Sequence, residues 1–351
     1  MEMKELMLRR LHAQHLLTPG KDCAAVAGGL CGLQAQFLRN AVHALRIRTR
    51  ALDVRRLVKT WTLRGTVHLI PEADLPLYLR LSGTPEDVCE TGWYRWTAGR
   101  GHANTPERER ELAGMMAHAI AVGIETRETL RVHMRGLGMT EAEEARVFDP
   151  WGGMIRELAE LGVIAFRVDM LDDDHPDETK RYGFLPPFAP LNESAARLEM
   201  ASRYLTGYGP VTLRDAAYFL HWTQAEAKGV FTAVGAEMVK CEGRTYWHIP
   251  GGALPVDKLP EVILLAGFDP LMMGYRKEEN PFLPPENLRG IFNLAGIVNP
   301  AILLRGRVVG KWKESKGRVE FTAFEPISQA DRRQIEDEAA RLYTVKKCIW
   351  K

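Results

Sequence analysis

The order of predicted elements gives an α+β fold: three tandem winged-helix (helix-turn-helix) units followed by a small C-terminal β-barrel. Three observations predict it. Capped amphipathic helices recur in groups along the first 250 residues. Each group closes on a strand or hairpin signal. From about Leu259 the texture changes to short strand-like runs separated by Pro and Gly. The expected segments are 1–100, 101–190, 191–255 and 256–351. Similarity between the repeats rests on order of elements, not on residue identity.

In the first segment, "MKELMLRRLHAQHL", "CAAVAGGLCGLQAQFL" and "LDVRRLVKTW" are expected as helices and "TVHLI" as a strand. In the second, Thr105 caps a helix with Pro106 at its first position, and "TRETLRVHMRG" follows. Thr140 and Glu143 form a capping box opening a helix that Gly162 closes, and "VIAFRVD" is the strand. The third segment is the clearest. "SAARLEMASRYLTGYGPV" ends at Gly207 or Gly209, and the next helices open at Thr212, with Asp215 three residues on, and at Thr223, with Glu226. "EMVKCEGRTYWHIP" then turns at Glu242-Gly243 as a hairpin. In the last segment "EVILLAGFD", "AILLRGRVVGKW" and "GRVEFTAF" are strand-like, with a turn at Lys316-Gly317, and Ser328 caps a terminal helix. The polar, Pro-rich stretch 275–290 is expected as a mobile loop, and "DDDHPDETK" as an exposed acidic break.

The 351 residues are 46% hydrophobic and 26% charged, as in globular proteins. No apolar run approaches the roughly 18 residues of a membrane span, and the charged start "MEMKELMLRR" has no apolar signal core. Five scattered cysteines, never in CxxC spacing, argue against a disulfide framework or zinc site. The expectation is a cytoplasmic protein. Net charge is only +2, yet residues 1–70 hold twelve Lys or Arg against four Asp or Glu. That segment carries +8 and leaves −6 for the rest, which points to a polyanion partner. The alternative is a solvated basic face balanced by acids elsewhere in the fold.

Walker, GxGxxG, HExxH and GxSxG signatures are absent from the sequence. Only His12 and His15 stand close together, and no third ligand completes a set, so no metal or nucleotide cofactor is expected. Lone histidines such as His43 and His133 read as surface or satisfied core groups.

What remains is "GLQAQ", with Gln34 and Gln36 flanking one small residue. On a helix, positions i and i+2 point apart; in an extended segment they share a face. Cooperation of the two therefore requires the chain to leave helical geometry near Gln34, which Gly32 permits. Two amides have no proton to transfer, but they can hold a water and stabilise developing positive charge. Such a pair suits a reaction whose leaving group is already good. The other reading is that the amides satisfy backbone groups of a turn.

Close by, "TWTLRGTVHLI" places Trp61, Arg64, Thr66 and His68 about a helix-to-strand junction. Thr66 and His68 share a strand face that is expected to look out beside the Gln pair. Arg64 suits a phosphate contact or a surface ion pair, and Trp61 suits the core better than a stacking platform.

With these residues assembled, the chain resembles the AlkZ/YcaQ-like bacterial DNA glycosylases. "GLQAQ" is similar to that family's catalytic Gln-x-Gln motif, and "WTLRGTVHLI" resembles its Arg-Gly-Thr-x-His element. "YGPVTLRDAAYFLHWT" resembles its third winged-helix signature, and "LLAGFDPLMMGYR" with "LLRGRVVGKW" its C-terminal barrel. The pieces span about residues 30–312 in order. The resemblance implies a winged-helix protein around double-stranded DNA and monofunctional hydrolysis of the N-glycosidic bond of N7-alkylated purines, including bulky adducts and, in some members, interstrand crosslinks. It implies Gln34 and Gln36 as the catalytic pair. Trp61, Arg64, Thr66, His68 and Asp269 are the further pocket candidates. Arg39, Arg46, Arg48, Arg50, Arg276 and Lys277 are the candidate DNA contacts. A monomer without cofactor or membrane is expected. The chain departs from the family in carrying Phe37-Leu38 after the second Gln and Glu278-Glu279 in the loop after "GYR". The alternative function is a non-catalytic winged-helix DNA-binding or regulatory protein; a protein-interaction scaffold is a third.

Overall fold

Threonine caps start most helices of the middle of the chain. In the computed structural model, which describes residues 1–101, 104–251 and 254–351, the Thr105, Thr126, Thr140, Thr212 and Thr223 hydroxyls each accept the backbone N–H three residues on. Each cap satisfies a donor that the first helical turn leaves unpaired. The fold mixes helices and sheets, as an α+β class requires. It divides into two units that cut across the four sequence segments: Met1–Val54 with Met170–Pro176 and Arg197–Lys351, and Arg55–Asp169 with Asp177–Ala196. No helix among the described residues is long and apolar enough to cross a membrane.

The first unit opens with helices Met3–Ala13, Cys23–Gly29 and Leu38–Arg46. Helices Leu213–Leu220 and Gln224–Ala233 follow the long helix Glu193–Tyr208, and then comes the hairpin Glu237–Cys241/Arg244–His248. Its turn residues Glu242 and Gly243 both take positive φ, 45° and 76°, as a two-residue hairpin turn demands. Lys316 and Gly317 do the same at 53° and 81° between Arg307–Ser315 and Arg318–Ala323.

The C-terminal segment is not a barrel. Its five strands form an open sheet in the order Lys347–Trp350, Arg318–Ala323, Arg307–Ser315, Ala301–Leu304, Val262–Leu264. The last strand of the chain adds parallel to Arg318–Ala323, and the other pairs are antiparallel. Closure is unnecessary because helix Gln329–Leu342 brings Ile335, Ala339 and Leu342 into one core with Leu264, Val309, Val319 and Phe321. Nor is 275–290 a loose loop. Phe282 is fully buried, Asn280 Nδ2 donates to Leu271 O (2.8 Å), and Asn287 Nδ2 donates to Val308 O (2.9 Å). These side-chain amides brace a segment built of the 3-10 turns Lys277–Glu279 and Pro285–Asn287 and the start of helix Leu288–Ile291.

In the second unit, "LDVRRLVKTW" is not a helix. Leu57–Trp61 is a strand, paired antiparallel with Val67–Pro71 from Leu57↔Pro71 to Trp61↔Val67. Val58, Thr60 and Trp61 favour the pleated, half-buried surface. Strand Ile164–Phe166 pairs with Leu57–Trp61 and with Tyr182–Phe184. The helix expected from Thr140 to Gly162 is two, Glu141–Val147 and Met154–Glu160, broken at Gly152 and Gly153, which take φ of 134° and 57°. With Pro106–Ala121 and Arg127–Gly136 they bury Leu112, Met116, Leu130, Met134, Ile155 and Leu158 in one core. Within that unit Arg146 bridges two buried carboxylates, Glu109 (2.7 Å) and Glu157. Burial pushes Glu157 up, to about 8, against the pull of Arg146.

Candidate active site

Asp22 Oδ1 accepts Ala25 N–H (2.8 Å) and starts helix Cys23–Gly29. The helix stops where Cys31 and Gly32 adopt left-handed φ of 56° and 80°, and Gly32 N–H returns to Ala27 O (2.8 Å). Released from the helix, Leu33–Gln34 is extended, and the chain stays non-helical until Phe37 caps helix Leu38–Arg46. Burial alternates along it: Leu33 and Ala35 are buried, Gln34 is half-buried and Gln36 is exposed. That two-residue period puts both amides on the less buried side. Gln34 Oε1 is itself buried and has no hydrogen-bond partner among the described residues. An acceptor left so costs free energy unless something donates to it.

Gly32 carries this geometry. An L side chain at its φ of 80° costs about 1–2 kcal/mol. Gly32→Ala is therefore expected to lower stability by about that amount in urea melts and to slow any reaction that needs Gln34 extended.

A cavity of about 560 Å³ opens beside the motif, walled by Phe37, Asn40, His43, Phe268, Trp312 and Tyr343. The Phe37 and Phe268 rings lie 6.4 Å apart. His43 is the satisfied core histidine that the sequence admitted. Its Nε2–H donates to Leu264 O (2.6 Å), and its Nδ1 accepts from Tyr343 Oη (2.6 Å). Burial holds it to about 4, so it is neutral. Asn40, Phe268, Trp312 and Tyr343 were not singled out from the sequence. Only Asn40, four residues from Gln36 and in the helix that follows it, left a local signal.

The basic candidates separate. Arg39 and Arg50 are exposed, and the Arg39 guanidinium stands 5.5 Å from the Phe37 ring centroid. Arg46 is mostly buried, donating to Asp174 Oδ1 (2.5 Å) and Leu342 O (3.1 Å). Arg48 is no phosphate contact: it is fully buried and forks onto Asp269 at 2.7 and 3.1 Å. Asp269 is equally buried and also accepts the Ala266 and Leu271 N–H groups (3.1 and 2.9 Å). All the described partners of its carboxylate are internal, so it does not face a pocket. Arg276 is half-buried, 3.8 Å from both Glu278 and Glu279. Lys277 Nζ lies 5.6 Å from the Phe292 ring centroid. Glu279 also takes Arg214 (2.8 Å) and Arg244 (3.0 Å), so the acid in this loop is neutralised by arginines.

Trp61, Arg64, Thr66 and His68 belong to the second unit, at the turn between Leu57–Trp61 and Val67–Pro71. Arg64 and Gly65 take φ of 58° and 64°, and Thr62 N–H closes the turn on Thr66 O (3.0 Å). Trp61 is half-buried, its ring 5.0 Å from Phe166. Thr66 is half-buried and donates to Leu63 O (3.1 Å). The exposed polar face expected here fails at His68, which is buried because strand Val67–Pro71 is covered on both faces. His68 Nδ1–H donates to Thr66 O (3.1 Å), and Nε2 accepts from Arg64 (3.4 Å). Burial, then Arg64, push its pKa down to about 3.

This depression predicts a pH dependence. Protonation favours the unfolded chain, where histidine titrates near 6.5. Stability from a neutral His68 is present above pH 6.5 and is lost as pH falls toward 3, by about 1.4 kcal/mol per pH unit. His43 adds a like loss down to about pH 4. Urea melts at pH 7 and pH 5 are expected to differ in this direction, and His68→Gln to reduce the difference.

Three comparisons bear on this geometry. The family model described as "DNA glycosylase AlkZ-like" matches residues 27–345. The interstrand DNA cross-link repair glycosylase of Streptomyces sahachiroi is 25% identical over 342 residues, covering 90% of this chain and 89% of that protein. The solved structure of the Streptomyces sahachiroi DNA glycosylase AlkZ shares the fold with a TM-score of 0.74 at 22% identity, over 100% of this chain and 99% of that one.

Proposed function

The chain belongs to the AlkZ-like DNA glycosylase family, and from that premise we propose that it hydrolyses the N-glycosidic bond of N7-alkylated purines in duplex DNA, with Gln34 and Gln36 as the catalytic pair. The observation that carries the reading is the buried, partnerless Gln34 Oε1 at the end of the short strand Leu33–Gln34, with Gln36 two residues on in the bend before the next helix. An amide oxygen in that state accepts a hydrogen bond from water and favours positive charge nearby.

The chemistry asks for little more. Alkylation at N7 makes guanine cationic. The C1′–N9 bond breaks with its electron pair going to N9, and the base leaves neutral. Positive charge develops on the sugar as an oxocarbenium ion, which the amide oxygens stabilise. A water held by the pair adds to C1′, and its proton passes to solvent because an amide cannot take it. The products are the free alkylpurine and an abasic site. Arg39 and Arg50 hold phosphates in this reading, and the winged-helix arrangement provides the frame for a monomer acting on cytoplasmic DNA. Bulky adducts and interstrand crosslinks fall within the proposed range, since the name of the Streptomyces sahachiroi relative specifies cross-link repair.

A site that supplies no acid must depend on its leaving group. Duplexes carrying N7-methylguanine, uracil or 8-oxoguanine at one position separate the possibilities. The expected outcome is excision of the cationic base and none of the neutral ones. Equal excision of uracil would contradict an amide-only mechanism. Binding to a particular sequence with no excision would favour the regulatory alternative.

A further inference from the structure

Resting on the DNA-repair reading above, we propose that a backbone phosphate flanking the lesion seats in a second cavity of the Gln-bearing unit, held by Lys21, His12, His15 and His248. The cavity measures about 520 Å³. Its basic walls are those four residues and Arg9, and none of its described walls is a carboxylate. Elsewhere in the unit arginines are neutralised: Arg46 holds Asp174, Arg48 holds Asp269, and Arg214 and Arg244 share Glu279. Here only Arg9 has an acid, Glu5 at 2.8 Å. The side chains of His12 and Lys21 make no hydrogen bond or ion pair among the described residues. His248 Nδ1–H donates to Ile249 O (3.2 Å), which leaves Nε2 without a described partner. Burial, then Arg48 and then His12, hold His15 below the ordinary histidine range. The last two causes are positive charge, which an anion answers. Histidines also take metals, but no three of the described His, Cys, Asp or Glu residues cluster as metal ligands must.

The backbone builds this wall. His15 follows helix Met3–Ala13 in the left-handed region, φ of 57°, and its N–H returns to His12 O (3.0 Å). Glycine adopts that conformation at lower cost, so the imidazole is the feature gained. Lys21 precedes helix Cys23–Gly29 and Gly29 ends it, and both wall the cavity. Gly207, a further wall residue, packs so close that a Cβ there would stand 2.3 Å from Gly29 O. Gln34 is five residues past Gly29, so at most about 18 Å separates them. The seated phosphate therefore belongs to the few nucleotides beside the base being removed. A phosphate against a histidine favours the imidazolium, so binding takes up protons. Every charged or titratable group here is accounted for. Arg9 with Glu5, and His12, come from the first helix; His15 and Lys21 follow it. Arg48, paired with Asp269, acts on His15, and Asp22 is taken by Ala25 N–H. His248 comes from the hairpin, and helix Glu193–Tyr208 adds the uncharged Thr206.

The test measures affinity for an undamaged duplex by fluorescence anisotropy, near pH 6 and near pH 8 and over a salt series. It compares wild type with Lys21→Gln and with His12→Gln/His248→Gln. Wild type is expected to bind about 10-fold more tightly at the lower pH, and the double histidine variant to lose most of that gain. Lys21→Gln is expected to lower the slope of log K against log salt by about one at either pH. Urea melts at the higher pH are expected to match wild type, since none of the three side chains is buried. A pH gain that survives in the double variant overturns the proposal, and so does an unchanged salt slope in Lys21→Gln. Inorganic phosphate probes the other source of the same chemistry. If it raises the melting temperature of wild type and not of the variants, while all bind DNA alike, the cavity takes free phosphate and the DNA assignment is overturned. None of these measurements needs a base to leave. A wild type whose binding is proton-linked but which excises no N7-methylguanine therefore fails the excision reading alone. One that excises with an affinity indifferent to pH fails the phosphate site alone.

Discussion

Replacing Gln34 by alanine is expected to lower single-turnover excision of N7-methylguanine by about two orders of magnitude, the scale for removing a preorganised group that stabilises a transition state. The expectation comes from the local structure. Gln34 is half-buried, on a segment held extended by the left-handed turn at Cys31-Gly32, and its Oε1 has no partner among the described residues. The amide is therefore placed before substrate arrives and costs no reorganisation when charge develops. Gln36 is exposed, so its removal is expected to cost less alone. Two groups that hold one water act as a unit, so the double variant is expected to lose little more than Gln34→Ala. Stability should move in the opposite sense to rate. Removing a buried acceptor without a partner relieves a penalty, so Gln34→Ala melts are expected at or slightly above wild type. A large loss of stability with the rate of the folded fraction intact would return the pair to the role of backbone support.

The second large effect is on stability. Asp269→Ala is expected to destabilise the fold by about 3–5 kcal/mol, because it strands the fully buried Arg48 guanidinium. Arg48 has no exposed position to retreat to, and Asp269 also holds two backbone N–H groups. Urea unfolding measures the loss. Pairing Arg48→Met with Asp269→Leu is expected to recover much of it, since replacing a whole buried ion pair by apolar groups is often near neutral. Were Asp269 a group at the reacting base, its loss would instead appear in the excision rate with stability unchanged.

These two residues show what the sequence left hidden. Arg48 lies in the basic run Arg46-Ile47-Arg48-Thr49-Arg50, and local pattern distinguishes none of its three arginines. One ends exposed, one is tied to Asp174, and one is buried against a carboxylate 221 residues away. Only tertiary packing decides among them. The same holds for the sheet that the chain was expected to close into a barrel: helix Gln329–Leu342 supplies the cover that closure would have supplied. His68 alternates as a half-exposed strand would, yet both faces of its strand are covered. What depends on neighbours along the chain was legible. Thr212 with Asp215, Thr223 with Glu226 and Thr140 with Glu143 cap their helices as their spacing requires. Glu242-Gly243 and Lys316-Gly317 turn their hairpins. The condition set on Gln34 and Gln36, that the chain leave helical geometry near Gln34, is met at a left-handed turn shared by Cys31 and Gly32, of which the glycine adopts it at low cost.

The most direct test uses wild-type protein in excess over a duplex bearing one N7-methylguanine, read by alkaline cleavage of the strand and mass analysis of the released base. The account predicts a break at the lesion, with neutral 7-methylguanine set free. An intact strand in a demonstrably bound complex would contradict it.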